Sequence, residues 1–245
     1  MASAEPHTRA TVSGKITSGA RHALLVATQN KGKLEELRAL LAGVAVDVLA
    51  PADAGVADLI VKEDGATFEA NATKKAKAYA AATMMLTLAD DSGLEVDVLG
   101  GAPGVRSARY AGETATDAEN NSALLSALAA VDPAERKAHG GFAARFRCVL
   151  ALCDPYADGG EPALAVGHCE GAIVASPRGG GGFGYDPLFV VEGGSQTMAE
   201  LDAEQKNRIS HRAKAFDRLR LILDKTIFAR EEAIFRILSS LPSPR

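Results

Sequence analysis

Four short polar stretches of the chain contain residue types that could bind and hydrolyse a phosphate compound. The first, TQNKGK at residues 28–33, lies between an apolar run and a helical pattern. Backbone N–H groups and the positive end of a helix dipole attract anions at such a junction, and two lysines add positive charge. The stretch lacks the GxxxxGK[ST] spacing of a P-loop, so an ordinary solvated turn is the alternative interpretation.

The second stretch is the pair Asp90 and Asp91, followed by Ser92 and Gly93. Neighbouring side chains of an extended chain point to opposite faces, so only one of the two aspartates can face a given cleft. Burying carboxylates is costly without cations, and a hard cation such as Mg²⁺ would offset that cost. A metal-bound carboxylate could also orient or deprotonate a water molecule, whereas an Asp-rich turn is the alternative.

The third stretch is a glycine-rich loop at residues 179–184 that satisfies GxGxxG. Asp186 and Pro187 follow it where a dinucleotide fingerprint would have a helix, so a dinucleotide site is not predicted. Phe183 in such a loop could stack on a base while a carboxylate reads the base edge. A flexible turn whose aromatic residues pack into the core is the alternative.

The fourth stretch, KNRISHR at residues 206–212, is basic. Ser210 is predicted to cap a following helix, which puts His211 and Arg212 in the first turn, where the helix dipole disfavours cations. A bound anion or a carbonyl-rich base would justify that placement. A basic surface turn is the alternative.

Local patterns predict the elements that must position these residues. Strands are predicted at residues 23–27, 44–49, 84–89, 94–98, 144–152, 163–174 and 188–191. Helices are predicted between residues 34 and 41, from the N-cap Thr67 to about Ala82, after the Thr116/Glu119 capping box, and from about Thr197 onward with a break near Ser210. Strands alternate with helices early and form a hairpin later. The predicted class is therefore mixed α/β, a central sheet flanked by helices.

Bulk properties narrow the possible functions. The length of 245 residues fits one large domain or two lobes that share a core. A net charge of −4 disfavours a long nucleic-acid surface, and no segment has the 18 or more apolar residues of a membrane span. The three cysteines form no CxxC pair, which favours a reducing cytosol, and Cys148 is predicted to be a buried structural thiol.

Taken together, five stretches resemble the inosine triphosphate pyrophosphatase family, including its bacterial dITP/XTP pyrophosphatases. They occur in order between Val26 and Ala215: VATQNKGKLEEL, TFEANATKKAKAYA, LADDSGLEVDVLGGAPGVRSARYAG, GGFGYDPLF and AELDAEQKNRISHRAKA. Each is a moderate signal alone, but all five in sequence are highly specific. The resemblance implies a two-lobed fold with an active-site cleft between the lobes, a homodimer and dependence on Mg²⁺. It also implies hydrolysis of ITP, dITP and XTP to the monophosphate and pyrophosphate.

The resemblance also assigns roles to individual residues. Asp91 is expected to be the general base and a metal ligand, Glu63 the second metal carboxylate, and Ser92 a substrate contact. The triphosphate is expected on Thr28, Gln29, Asn30, Lys31, Gly32 and Lys33. The base is expected to stack on and be read by Phe183, Gly184, Tyr185 and Asp186, and to be enclosed at its 6-keto oxygen by Lys206, His211 and Arg212.

The expected organisation is a disordered extension at residues 1–22, the enzyme domain at residues 23–225 and a helical tail at residues 226–245. Two other functions stay open. One is a pyrophosphatase of the same fold that acts on modified-base or pyrimidine nucleotides. The other is a nucleotide-binding module without catalysis. An RNA-binding module is disfavoured because the chain has no basic stripe with interleaved aromatic residues.

Overall fold

The computed structural model describes residues 21–135, 141–157 and 159–241, so nearly all of the predicted extension at residues 1–22 lies outside the described residues. Six strands are present: β1 His22–Ala27, β2 Val46–Leu49, β3 Leu86–Val96, β4 Phe142–Cys153, β5 Ala163–Ile173 and β6 Phe189–Val191. The α-helices of the described residues are α1 Lys31–Leu41, α2 Phe68–Thr83, α3 Asp117–Ala129, α4 Ala203–Ile209 and α5 His211–Ser240.

The strands form one sheet in the order β2-β1-β3-β4-β5-β6. Strand β1 pairs in parallel with both β2 and β3, whereas the remaining neighbours are antiparallel. The predicted mixed α/β class is therefore confirmed. Ala27 at the end of β1 pairs with Ala89. Because β1 and β3 run in the same direction, the loop after β1 lies beside Asp90 and Asp91.

The helices begin where the sequence signals them. Thr67 Oγ1 accepts the Ala70 N–H at the start of α2. Thr116 and Glu119 make both bonds of the predicted capping box at the start of α3. Ser210 caps α5 by accepting the Ala213 N–H. These predictions are confirmed because capping depends on residues only three positions apart.

The prediction for β3 was wrong in one respect. The first strand was expected to end at Asp90–Gly93, with a separate strand at residues 94–98, but β3 continues without interruption through that segment. Strand β4 pairs with β3 along its whole length, from Thr87↔Cys153 to Val96↔Ala144. Strand β4 therefore forms hydrogen bonds with the backbone N–H and C=O groups of this segment, which would be exposed in a turn. Gly93 is required there because a Cβ atom would lie 2.4 Å from Ser107 Oγ.

Three apolar clusters define the core and the two lobes. One packs α1 and α5 against one face of the sheet, and a second packs α2 against the opposite face. The third joins α3 and β6 to the other ends of β3, β4 and β5. The first two clusters belong to a larger lobe and the third to a smaller one. The long central strands therefore run from one lobe into the other.

Helix α5 is a single element of 30 residues. The expected domain boundary between residues 225 and 226 lies inside it. Within the part of the chain that the structure describes, no helix is long and apolar enough to cross a membrane.

Candidate active site

A cavity at the ends of β1 and β3 contains the carboxylate of Asp91 and is called the carboxylate cavity here. The β1–α1 loop, α2, β3 and the 3₁₀ turn at Gly104–Arg109 all contribute to its wall. The polar residues that line it are Thr28, Gln29, Asn30, Lys33, Glu63, Lys75, Tyr79, Asp91, Ser92 and Arg109. The lining therefore combines three positively charged side chains, those of Lys33, Lys75 and Arg109, with two carboxylates.

The Asp91 carboxylate is buried, and its hydrogen bonding is incomplete. Its Oδ2 atom has no hydrogen-bond partner among the described residues. Burial raises the pKa of Asp91 to about 6, and the nearby Glu63 raises it as well, although Lys33 and Lys75 oppose this. A carboxylate with a free oxygen and a pKa near neutrality is suited to accept a proton from water.

Asp90 lies on the opposite face of β3 and is fully buried. Lys33 Nζ lies 2.7 Å from its Oδ1, and Arg212 Nε donates to its Oδ2 at 2.8 Å. Ser92 Oγ and the Cys148 thiol donate to the same carboxylate at 2.9 and 3.1 Å. Burial alone would raise the pKa of Asp90, but the Arg212 and Lys33 cations outweigh it and hold that pKa well below its usual range.

A second cavity shares Asn30, Lys33 and Ser92 with the first and is called the aromatic cavity. Its remaining wall comes from several elements, which are β3, the 3₁₀ turn at Gly104–Arg109, α3, β4, the glycine-rich loop with the turn after it, α4 and the start of α5. The residues that complete the lining include Asp117, Asn120, Phe146, Phe183, Gly184, Tyr185, Asp186, Lys206, His211 and Arg212. Because they share a wall, the two cavities can accept the two ends of one elongated molecule.

The Phe183 ring lies between the lobes. A Cβ atom on Gly32 would come within 2.4 Å of the ring, so the glycine at the start of α1 allows this close approach. Lys206 Nζ lies 4.8 Å and Arg212 Cζ 5.8 Å from the ring centroid, which are cation–π distances. The ring is therefore held beside α1 and remains partly exposed to the aromatic cavity.

A chain of buried ion pairs connects the glycine-rich loop to β3. Asp186 Oδ2 lies 2.5 Å from Lys206 Nζ, and Lys206 Nζ lies 2.8 Å from Glu36 Oε1. Glu36 also accepts a bond from Arg212, which in turn binds Asp90. These pairs hold α1, α4 and α5 in one arrangement around the cavity. The protein's own carboxylates thus balance the cations for which the sequence predicted a bound anion.

His211 is neutral and has an unused ring nitrogen. Burial, together with the adjacent Arg212, lowers the pKa of His211 well below its usual value. The ring stacks on Phe146 with centroids 4.9 Å apart, and its Nδ1 atom has no partner among the described residues. A buried nitrogen without a partner in a cavity wall is available to a ligand.

Helix α3 holds the backbone of the glycine-rich loop from both sides. Asp117 Oδ2 accepts the Gly184 N–H at 2.7 Å. One helical turn later, Asn121 Nδ2 donates to the Gly184 carbonyl at 3.0 Å. Gly184 follows Phe183 directly and has a positive φ of 61°. The two bonds therefore fix the position from which the Phe183 ring enters the cavity.

Comparison with known proteins places this geometry in a family. The model of the Ham1 family matches residues 24–222. The chain belongs to the Ham1 family. A dITP/XTP pyrophosphatase of Anaeromyxobacter sp. is 47% identical over 238 residues, covering 86% of this chain and 99% of that protein. One from Geobacter sulfurreducens is 52% identical over 193 residues, covering 78% and 92%.

Solved structures of Ham1 proteins share the fold. A HAM1 protein from Coxiella burnetii has a TM-score of 0.73 at 41% identity, over 83% of this chain and 99% of its own. A nucleoside-triphosphatase and dITP/XTP pyrophosphatase from Mycobacterium abscessus has a TM-score of 0.62 at 40% identity, over 80% and 98%. The observed sheet and helices are thus those of Ham1 proteins.

Most residues that the resemblance assigned to the site of this Ham1 protein line the two cavities. Lys31 is exposed and is absent from the described walls of both cavities, and Gly32 contacts Phe183 instead. Tyr185 lines the aromatic cavity but is buried, and its hydroxyl donates to the Ser107 carbonyl at 2.9 Å. Gln29 donates to the Ala57 carbonyl at 3.1 Å.

In the loop at residues 28–33 of this Ham1 protein, three backbone N–H groups already have acceptors, and that of Thr28 bonds the Val26 carbonyl at 2.9 Å. Thr28 Oγ1 accepts the Asn30 N–H at 3.2 Å, and Asn30 Oδ1 accepts the Lys33 N–H at 2.9 Å. The sequence predicted free backbone N–H groups at this junction between strand and helix. The structure shows that short polar side chains, which commonly cap helices, bond two of them internally.

Lys75 and Glu36 are two of the site residues that sequence reasoning missed. Lys75 is buried in α2, with Nζ 2.7 Å from Glu63 Oε2 and 3.0 Å from the Asp90 carbonyl. A lysine on the same helical face as Phe68 and Ala72 was the signal that could have revealed it. The partners of Glu36 come from α4 and α5. No local signal distinguishes it from the neighbouring Glu35.

Proposed function

We propose that this chain hydrolyses the non-standard purine triphosphates ITP, dITP and XTP to the monophosphate and pyrophosphate. The observation that carries the proposal is the placement of Asp91. Asp91 lines a cavity whose other residues could bind phosphate, and one of its carboxylate oxygens has no hydrogen-bond partner among the described residues. That cavity adjoins a second one with an aromatic ring. The dITP/XTP pyrophosphatases that cover most of this chain support the same activity.

The two cavities suit the two ends of a nucleotide. Lys33 belongs to both, and its ammonium group is held in place by Asp90. Thr28, Asn30 and Lys33 would receive the phosphates, while Phe183 would stack on the base. Asp91 would take a proton from the water that attacks the α-phosphorus, and Lys33 would balance charge on the departing pyrophosphate. Such catalysis relies on positioning and electrostatic stabilisation.

Selection for a 6-keto purine would come from the aromatic cavity. A 6-keto oxygen accepts hydrogen bonds, whereas the 6-amino group of adenine donates them. His211, whose Nδ1 atom has no partner among the described residues, and Arg212 both line this cavity and would donate to that oxygen. A site built to donate rejects a group that also donates, by as much as roughly 10²- to 10⁵-fold. This argument supports discrimination against ATP.

The carboxylate cavity fits a divalent cation. Asp91 and Glu63 both line this cavity, and Mg²⁺ commonly binds one or two carboxylates together with substrate phosphates. The described residues contain no group of three or more His, Cys, Asp or Glu placed to bind a metal by themselves. Asp91 and Glu63 would hold Mg²⁺, which would neutralise phosphate charge. Lys75 forms an ion pair with Glu63 in the structure, so Glu63 would have to bind Mg²⁺ and Lys75 together.

The resemblance further supports a homodimer in the cytosol, and we include both in the proposal. The three cysteines, at positions 148, 153 and 169, are buried and free of disulfides. Free thiols are typical of proteins in reducing compartments.

A coupled phosphate assay tests the reaction. ITP, XTP, ATP, GTP and CTP are incubated with Mg²⁺, with and without added inorganic pyrophosphatase. Phosphate that appears only with the coupling enzyme, and mainly from ITP and XTP, is the expected result. Phosphate without coupling would show a phosphohydrolase. Turnover of CTP in preference to ITP would support the pyrimidine alternative, and no turnover at all would support a binding module.

A further inference from the structure

A third cavity continues the row formed by the first two and is called the distal cavity here. It has a volume of about 500 Å³ and shares Glu63, Val105 and Arg109 with the carboxylate cavity. Among the described residues, it shares none with the aromatic cavity. The carboxylate cavity therefore lies between the other two. A nucleoside triphosphate with its base in the aromatic cavity would extend its terminal phosphates past Asp91 towards the distal cavity.

Arg109 lies at the boundary between the carboxylate and distal cavities, and its side chain is 25% exposed. Its Nη2 atom donates to the Glu63 carbonyl at 2.8 Å. Its Nε atom lies 3.8 Å from Glu113 Oε1, and the Glu113 side chain is 76% exposed. An exposed ion pair at such a distance contributes little. Because a guanidinium carries several N–H donors, Arg109 has donors left for a ligand.

Arg109 differs in this respect from the other two cations of the carboxylate cavity. Lys33 Nζ lies 2.7 Å from Asp90 Oδ1, and Lys75 Nζ lies 2.7 Å from Glu63 Oε2. A carboxylate at close range therefore balances each of the two ammonium groups. Among the described residues that line this cavity, Arg109 is the cation whose charge is least compensated. An anion that enters the cavity can pair with it without breaking a close ion pair.

The distal cavity has an excess of positive charge when ion pairs with residues outside it are counted. Glu63 and Asp64 pair with Lys75 and Lys74 of α2, at 2.7 Å in both cases, and neither lysine lines this cavity. Glu113 then faces the three cations of the lining, which are Lys62, Arg106 and Arg109. A cleft with an excess of one charge attracts ligands of the opposite charge. The distal cavity therefore suits the anionic end of a polyphosphate.

The backbone that carries Arg109 is fixed on both sides by Asn120, which is buried in α3. Asn120 Nδ2 donates to the Ala108 carbonyl at 3.1 Å, and its Oδ1 accepts the Ala111 N–H at 2.9 Å. The position from which the Arg109 side chain extends is thus set without a ligand. A donor that is already in place binds its ligand at a lower entropic cost.

We propose that Arg109 binds the terminal phosphates of the nucleotide and holds the pyrophosphate as it leaves. The planar guanidinium forms paired hydrogen bonds with phosphate oxygens. In the reaction, the oxygen of water bonds to the α-phosphorus, and Asp91 takes the proton. The bond from the α-phosphorus to the bridging oxygen breaks, and pyrophosphate leaves with that electron pair. Arg109 stabilises the resulting charge. This role rests on the proposed function and belongs to a residue to which the resemblance assigned none.

Isothermal titration calorimetry with the two products, pyrophosphate and IMP, separates a phosphate contact from a structural role. Arg109→Gln is expected to weaken binding of pyrophosphate by about 10- to 100-fold, because hydrogen bonds to a charged group are lost. The affinity for IMP, which has no terminal phosphates, is expected to stay the same. Arg109→Lys keeps the charge without the planar fork, so it is expected to weaken pyrophosphate binding less.

Arg220→Gln is the matched control. Arg220 also donates to a backbone carbonyl, that of Gly43 at 3.3 Å, and also pairs with an acid four residues later, Asp224. It is absent from the described walls of the three cavities, so its substitution is expected to leave the binding of both products unchanged. Circular dichroism verifies that each variant is folded, and Arg109→Lys supplies the comparison if Arg109→Gln is not.

Four results would overturn the proposal. Equal weakening of pyrophosphate and IMP in Arg109→Gln would mean that Arg109 only holds the Glu63 loop. An unchanged affinity for pyrophosphate would mean that Arg109 does not contact it. An equal loss in Arg220→Gln would reflect net charge alone, and a full chain that binds IMP but not pyrophosphate would lack the site. A full chain that binds both products without hydrolysing ITP would instead contradict the proposed function, because calorimetry with products requires no turnover.

Discussion

Two adjacent aspartates, Asp90 and Asp91, lie on opposite faces of β3 and have opposite shifts in pKa. Asp90 is surrounded by Lys33, Arg212 and two neutral donors, and its pKa lies well below the usual range. Asp91, the next residue, has one oxygen without a partner among the described residues, and its pKa is raised to about 6. A single strand thus carries one carboxylate that holds the structure together and one that is left available for reaction.

This difference shows how the molecule tolerates a reactive group. Asp90 forms ion pairs with Lys33 and Arg212, and both cations line the aromatic cavity. Because Asp90 holds them, these cations keep their positions without a bound ligand. Lys33 and Lys75 compensate the charge of Asp91 only in part, so its burial still disfavours the charged form. Functional sites commonly lose stability in return for activity. The predictions below test this division of roles, beginning with the largest expected effect.

Asp91→Asn is expected to lower kcat by about 10²- to 10⁴-fold, because the amide cannot accept the proton of water. The unfolding free energy should stay the same or increase, since the substitution removes a charge that burial disfavours. Steady-state ITP hydrolysis and urea unfolding measure the two quantities. A variant that keeps more than a tenth of the wild-type rate would show that Asp91 is not the base.

Asp90→Asn is the matched substitution on the other face of β3. It is expected to lower the unfolding free energy by about 3–5 kcal/mol, because two buried cations lose their counter-charge. Urea unfolding of Asp90→Asn and Asp91→Asn under the same conditions gives the comparison. If the two variants are equally stable, the proposed difference between the faces is wrong.

Phe183→Ala is expected to separate binding from turnover in the aromatic cavity. Loss of stacking worth about 1–3 kcal/mol corresponds to an increase in KM of roughly 5- to 150-fold, with a smaller change in kcat. Kinetics with ITP measure both constants, and Phe228→Ala on the exposed side of α5 is the control. A loss confined to kcat would mean that the ring positions the reacting phosphate.

Asn121→Ala is expected to have the smallest effect. It removes the bond from α3 to the Gly184 carbonyl, a contact worth about 1 kcal/mol, and should raise KM by several-fold. The unfolding free energy should fall by no more than about 1 kcal/mol, and kcat should be nearly unchanged. Ser122→Ala, on the exposed side of α3, is the control. Equal values of KM in the two variants would contradict a positioning role for Asn121.

Features that depend on neighbouring residues could be predicted from the sequence. The caps at Thr67, Thr116 and Ser210, the buried face of α2 and the hairpin of β4 and β5 were all predicted and are confirmed. Each rests on spacings of a few residues or on alternation along one strand. The five stretches that resemble the family also predicted the fold, because their order along the chain is specific to that family.

Features that depend on distant partners could not be predicted in this way. Strand β3 runs through the Asp-rich segment because β4 pairs with it from more than 50 residues away. The sequence indicated that only one of the two aspartates could face the cleft, and the resemblance selected Asp91. Only the tertiary structure shows that Lys33 and Arg212 neutralise Asp90, since α1 and α5 bring them together at one point. Ion pairs with distant residues, together with burial, set the pKa of each carboxylate. Neither can be predicted from the spacing of residues along the chain.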